Sequence, residues 1–240
     1  MAVYSGNNPG VLLRSGEAVY SVYRLMARVD WLPVRSSTSK HHVKGELMEK
    51  IFTSVAMFAV ALMAATAGLG LWLGDLHGQT DLAILRWGTV HRLSGILAAL
   101  VVVLVNSMSV TYFIGTGRWC REVVETYHLA DALILRSKAI KRSSFPFALV
   151  GMLSVVGIVA LGGAADPAAG RSGSEAWVTP HLIGGIGLAG LIAACFQSQR
   201  GKISEQQVLI EDVLGEVRAV RQARGLDVDL DEPAVVSTNS

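Results

Sequence analysis

Residues 93–114 read LSGILAALVVVLVNSMSVTYFI, twenty-two positions without one acidic or basic side chain. As a helix rising about 1.5 Å per residue, a run of this length reaches about 33 Å, the thickness of a hydrocarbon core. Three further apolar runs, at residues 51–73, 145–161 and 177–196, repeat the pattern. They account for a chain of 240 residues that is 51% hydrophobic and 17% charged, with a mean hydropathy of +0.44, far more apolar than an ordinary soluble domain. Barrel strands are excluded by the lack of dyad alternation, and open strands would leave backbone groups unpaired in lipid. The expected fold is therefore all-α: a polytopic membrane protein of four transmembrane helices, arranged as two tandem hairpins over residues 48–200.

Charge sets the expected orientation. Residues 1–50 hold seven Lys and Arg, residues 115–145 hold six and the tail from Gln197 holds five, while the two intervening loops hold only Arg86 and Arg171. The positive-inside rule places both termini in the cytoplasm of a cell with an inner membrane, and the loops at 75–86 and 162–176 outside. A net charge of +2 offers no general nucleic-acid surface. Cys120 and Cys195 then fall at cytoplasmic helix ends, where thiols stay reduced.

Punctuation supports the spans. Trp72, Trp87 and Trp177 mark outer ends and Trp119 an inner end, as aromatic belts do. Gly115 and Gly117 are expected to close the second helix, Ser143, Ser144 and Pro146 to open the third, and Thr179 with Pro180 to open the fourth. Between the second and third, an interfacial helix would turn Val123, Leu129, Leu133 and Ile134 toward the acyl chains. Residues 1–47 read as a cytoplasmic N-terminal extension, and MEKIFTSVAMFAV from Met48 as the natural beginning of a membrane protein. Residues 201–225 read as a cytoplasmic amphipathic helix, with Ile203, Ile210, Val213, Leu214, Val217 and Val220 on one face, and 226–240 as a disordered acidic tail.

An internal repeat singles out the candidate site. Trp87-Gly-Thr89-Val-His91-Arg-Leu-Ser-Gly95 and Trp177-Val-Thr179-Pro-His181-Leu-Ile-Gly-Gly185 share Trp, Thr, His and Gly at identical spacing, and the match extends to Ile96 with Ile186 and Ala99 with Ala189. Residues four apart stack on one helix face, so each histidine overlies a stripe of small residues. Both rings should lie at one depth near the outer surface, as two ligands of one centre must. On these residues three readings stay open. In the first, His91 and His181 hold a haem b between the second and fourth helices, Gly95 and Gly185 leave room for the macrocycle, and Arg92 reaches a propionate. In the second, the glycine stripes touch and the histidines bond neighbouring carbonyls. The third assigns the pair another metal, a quinone or a proton role.

A four-helix unit with outward-side histidines on its second and fourth helices, one of them in an HR dipeptide followed by a small residue (His91, Arg92, Gly95), resembles one half of the haem A synthase family, itself similar to other b-type membrane cytochromes. The resemblance covers roughly residues 50–200 and implies that His91 and His181 are axial ligands. That family carries two such units and an acidic residue one turn before the first histidine, where Trp87 and Gly88 stand here. What the resemblance implies is thus a bis-histidine haem fold and not haem A synthesis.

Elsewhere the sequence is less specific. His77, between Asp75 and Asp81, reads as part of a solvated loop, His41 and His42 lack a third ligand, and His128 lies on the wrong side to join the pair. Asn106, Ser107, Ser109 and Thr111 suggest interhelical hydrogen bonds. No charge sits mid-span, which argues against a proton-coupled transporter or ion channel, and no nucleophile elbow, P-loop, dinucleotide fingerprint or zinc-protease motif is found. Two functions are expected from the residues: a non-enzymatic membrane scaffold or subunit that docks a protein partner through residues 203–223, or a b-type cytochrome exchanging electrons with quinol.

Overall fold

The computed structural model describes residues 45–226, and the expectations for the N-terminal extension, His41, His42 and most of the acidic tail lie outside them. Among the described residues the chain is helical, without strands. Helix α1 spans Gly45–Leu73, α2 Leu82–Tyr127, α3 Asp131–Ala165 and α4 Val178–Ala223, with 3-10 turns at Pro167–Ala169 and Ser174–Trp177 before α4. All four are long and apolar enough to cross a membrane. Their outward surfaces are apolar too, with Phe58 56%, Leu100 63%, Leu153 60% and Ile183 67% exposed. Side chains of this kind on every helix suit acyl chains and would be unfavourable in water.

Local chemistry ends each helix. Gly74, at φ 65°, takes the left-handed conformation and donates to the Gly70 carbonyl at 3.1 Å, stopping α1. Asp81 caps α2 by accepting from the Ala83 N–H at 2.8 Å. The other end of α2 closes on His128, a non-glycine residue at φ 54°, whose N–H donates to the Val124 carbonyl.

Helices α1, α2, α3 and α4 contact their chain neighbours, and α4 also closes against α1. Direct contacts between α2 and α4 cross the middle. The core along that axis is built from Phe52, Ala56 and Ala59 of α1, Val102 and Val105 of α2, Val155 of α3, and Ile192 and Phe196 of α4. Phe52 and Phe196 meet edge to face with centroids 6.4 Å apart.

Three sequence expectations about helix ends are corrected. The second helix runs through Gly115 and Gly117 to Tyr127, the third begins at Asp131 with Pro146 inside it, and the fourth passes Gly201 unbroken to Ala223, having started at Val178 one residue before Thr179. Packing overrides the local breakers. Cys120 and Val124 of α2, Leu133, Ser137 and Ile140 of α3, and Ile203, Gln206, Leu209, Val213 and Val217 of α4 are buried in the extended parts of these three helices. Leu133 therefore faces helices, with Val123, Leu129 and Ile134 packed partly against the same core, and no separate interfacial helix forms. Of the apolar stripe, Ile203, Val213 and Val217 are buried by the chain's own helices, Ile210, Leu214 and Val220 are partly covered, and the neighbouring Val208 stays 47% exposed.

Candidate functional site

His91 sits three turns into α2 and His181 on the first turn of α4, and the contact between these helices brings their rings together. The ring centroids are 6.3 Å apart with an interplanar angle of 74°. Each ring also rests on a glycine of the helix preceding its own. A Cβ built on Gly70 of α1 would lie 2.8 Å from His91 Cε1, and one on Gly162 of α3 would lie 3.2 Å from His181 Cε1. Hydrogen at these two positions is what allows imidazole to occupy the interhelical space.

The two rings differ in their polar partners. His91 Nδ1 is 3.1 Å from the Thr66 carbonyl, which fixes Nδ1 as the protonated nitrogen and leaves Nε2 with its lone pair. This is the outer-shell bond that metal-ligating histidines make. His181 Nδ1 is buried with no hydrogen-bond partner.

The small-residue stripes do not touch another backbone. A Cβ at Gly95 would meet only the Thr66 methyl, at 3.8 Å, and one at Gly185 would meet nothing within 4 Å. Direct glycine-to-glycine packing is therefore not the arrangement: Gly95 lies against the Thr66 methyl, and the space beside Gly185 is open. An apolar groove of about 410 Å³ runs between α2 and α3 from Ile96 and Ala99 to Val159 and Ala160.

Arg92 is engaged elsewhere. Its Nη1 donates to Asp166 Oδ1 at 2.9 Å and its Nη2 to Thr89 Oγ1 at 3.1 Å, so it ties α2 to the residue that ends α3. A propionate at this corner would share the guanidinium with Asp166. His77 is not simply solvated: Nδ1 pairs with Asp75 Oδ1 at 2.6 Å and Nε2 with Ser174 Oγ at 2.8 Å, joining the first loop to the buried start of the second 3-10 turn. Burial raises the Asp75 carboxyl, but hydrogen bonds from the His77 backbone and ring outweigh it, and the group is held below its ordinary 3.8. Toward the other end, Gln199 Nε2 donates to Asn106 Oδ1 at 2.9 Å, and Asn106 Nδ2 donates to the Val102 carbonyl at 2.9 Å, both side chains fully buried. The interhelical role expected for Asn106 is the one observed, whereas His128 caps a helix far from the pair.

Sequence reading brought out His91, His181, Arg92, Gly95 and Gly185 but missed Gly70, Gly162, Thr66, Asp166 and Gln199. The glycines sit in apolar runs where glycine is common, and the Thr66 contribution is a backbone carbonyl that any residue would supply. Asp166 carried the one available signal, an acidic residue in an otherwise uncharged helix end.

Chemically, two imidazoles with few other donors define a narrow set of ligands. His91 and His181 would be the two protein ligands of a metal whose other ligands come with it. Among the described residues no group of three His, Cys, Asp or Glu gathers to hold a metal ion. Among the described residues the two imidazoles are therefore short of the three or four protein ligands that a zinc site takes, whereas a haem would bring four nitrogens of its own. Comparison of the chain with protein-family models, curated proteins and solved structures returns no match.

Proposed function

We propose that the chain is a b-type cytochrome of the membrane, with His91 and His181 as the axial ligands of one haem. The observation that carries this reading is the meeting of the two rings, 6.3 Å apart between centroids, a separation that two ligands of one metal can adopt. Support comes from the Thr66 carbonyl, which leaves His91 Nε2 with its lone pair, and from the open space beside Gly185. The residues fit the group. Bound there, a haem would supply one-electron redox chemistry. Around it this chain's own residues would hold two neutral imidazoles, exclude water with apolar helix faces, and keep the Arg92–Asp166 pair at the outer rim.

The same reading includes the finer topology: both termini on the cytoplasmic side of an inner membrane, and two tandem hairpins derived from one duplicated hairpin, as in one half of the haem A synthase family. The positive-inside distribution of Lys and Arg supports the orientation, and the parallel placement of His91 on Gly70 and His181 on Gly162 supports the duplication. Electron exchange between a quinol in the bilayer and an acceptor on the outer side is the reaction class this placement suits. The scaffold reading, with a partner docked on residues 203–223, receives less support, because Ile203, Val213 and Val217 of that segment's apolar stripe are already buried within the chain.

The test is the absorbance of the detergent-solubilised full chain purified from haem-replete cells. A Soret band is expected, lost in His91→Ala. A colourless preparation with native helicity would end the cytochrome reading.

A further inference from the structure

We propose that Asp75, His77 and Ser174 form a hydrolytic triad, with Ser174 Oγ as the nucleophile toward a carboxylic ester lying at the membrane interface. The inference is independent of the haem reading and concerns the loops at the end of the bundle where the paired histidines stand.

The three residues come from two loops, and Ser174 lies 97 positions from His77. Asp75 and His77 follow Gly74, which stops α1, and Ser174 follows Gly173, whose φ of 78° turns the chain into the second 3-10 turn. Leu76, between the acid and the base, lies against α2, where a Cβ on Gly88 would come 2.7 Å from its Cδ1. The first loop is thus held on the bundle. Exposure falls along the relay, from 52% at the Asp75 side chain to 21% at His77 and 4% at Ser174, so the hydroxyl is at its inner end.

The order of atoms is that of serine hydrolases. Asp75 Oδ1 accepts from the His77 backbone N–H at 2.9 Å and from ring Nδ1 at 2.6 Å. A carboxylate only accepts, so Nδ1 carries the proton and the neutral ring turns its Nε2 lone pair to Ser174 Oγ, 2.8 Å away. The Ser174 O–H therefore donates to a base that is itself oriented by an acid. A tie between two loops needs one of these bonds and not the sequence of both. Among the described residues no third His, Cys, Asp or Glu joins Asp75 and His77, which leaves the cluster short of a metal site.

On an ester, the bond from Ser174 Oγ to the carbonyl carbon forms as the proton passes to His77 Nε2. The bond to the alcohol oxygen then breaks as that oxygen takes the proton. Water attacks the acyl-serine by the same route, releasing the acid and restoring Ser174. The class of ester follows from the neighbours. Exposed Trp72 lies three residues before Asp75 and exposed Trp177 three after Ser174, and Trp72 meets exposed Trp87 with ring centroids 6.1 Å apart. Indoles of this kind sit at the headgroup level, where the ester carbonyls of fatty acids also lie.

The test uses the detergent-solubilised full chain and diisopropyl fluorophosphate, a small probe suited to a nearly covered hydroxyl. Phosphorylation of Ser174 Oγ with loss of fluoride is expected by peptide mass spectrometry, with none at the exposed Ser172. His77→Gln and Asp75→Asn should each slow labelling by about a hundredfold or more, and Asp75→Glu, which restores the acceptor, should recover part of the rate. In micelles the wild type should hydrolyse p-nitrophenyl laurate faster than the acetate, and Ser174→Ala should hydrolyse neither. Wild type with native helicity that is unlabelled at Ser174, or labelled no faster there than at Ser172, would overturn the proposal. Labelling unchanged in His77→Gln would reduce the three residues to a loop tie. A preference for the acetate, or no hydrolysis, would overturn the class of ester. Wild-type labelling decides the matter even if a variant does not fold, and the presence or absence of a Soret band does not bear on it.

Discussion

The α1–α2 half and the α3–α4 half solve one local problem in the same way and complete it differently. In each, a histidine on the later helix lies over a glycine of the earlier one. In the first half the ring is tight on Gly70 and bonded to the Thr66 carbonyl, and in the second it is looser on Gly162 with its Nδ1 alone. A repeat in sequence thus carries over the position of a group without carrying over its restraint. Restraint depends on the neighbouring helix: the Thr66 backbone carbonyl lies against His91 Nδ1, and His181 Nδ1 has no such partner.

The contrast breaks first at the glycines. Gly70→Ala would put a methyl 2.8 Å from His91 Cε1, closer than real contacts allow, so the ring must leave its place. We expect loss of most of the Soret band and a destabilisation of about 1–3 kcal/mol in thermal unfolding, as for overpacked cores. Gly162→Ala, at 3.2 Å, should retain most of the band at under about 1 kcal/mol. Equal losses would remove the distinction between the halves.

Ties between the halves give the next effect. Gln199→Leu removes the donor to Asn106 Oδ1 and leaves a fully buried amide oxygen alone, which should cost about 1–2 kcal/mol. Adding Asn106→Leu should recover part of that loss, since both polar groups are then gone. A double variant weaker than the single would show that the pair is not the tie it resembles.

The smallest expected effect is at the loops. Because the folded Asp75 carboxyl is held below 3.8, its contribution is complete above the unfolded value and is lost as pH falls through the folded one. Wild type should therefore be slightly more stable than Asp75→Asn at pH 6, with the difference vanishing in acid well below 3.8. A difference that persists there would separate the carboxylate from the His77–Ser174 link.

Much of this was legible beforehand, for reasons that can be stated residue by residue. Uncharged runs such as residues 93–114 have few alternatives to a spanning helix, since lipid forces every backbone group to pair within the segment. His91 and His181 stood out because Trp, Thr, His and Gly recur at identical spacing in residues 87–95 and 177–185. Helix ends were less legible. Gly115, Gly117 and Pro146 are local breakers, and their effect was reversed by burial of Cys120, Val124, Leu133, Ile140, Leu209 and Val213 along three extended helices. Arg92 was legible as a rim cation but not as the partner of Asp166, which lies 74 residues away.

The sequence by itself determined the helical class, the four apolar spans and the pairing of two histidines, because length, hydropathy and spacing act within single segments. Only the tertiary structure decided that these rings stand 6.3 Å apart, that Gly70 and Gly162 make room for them, and that one is bonded while the other is not. Those features depend on which backbone lies opposite which side chain, and no segment carries that information about its neighbours.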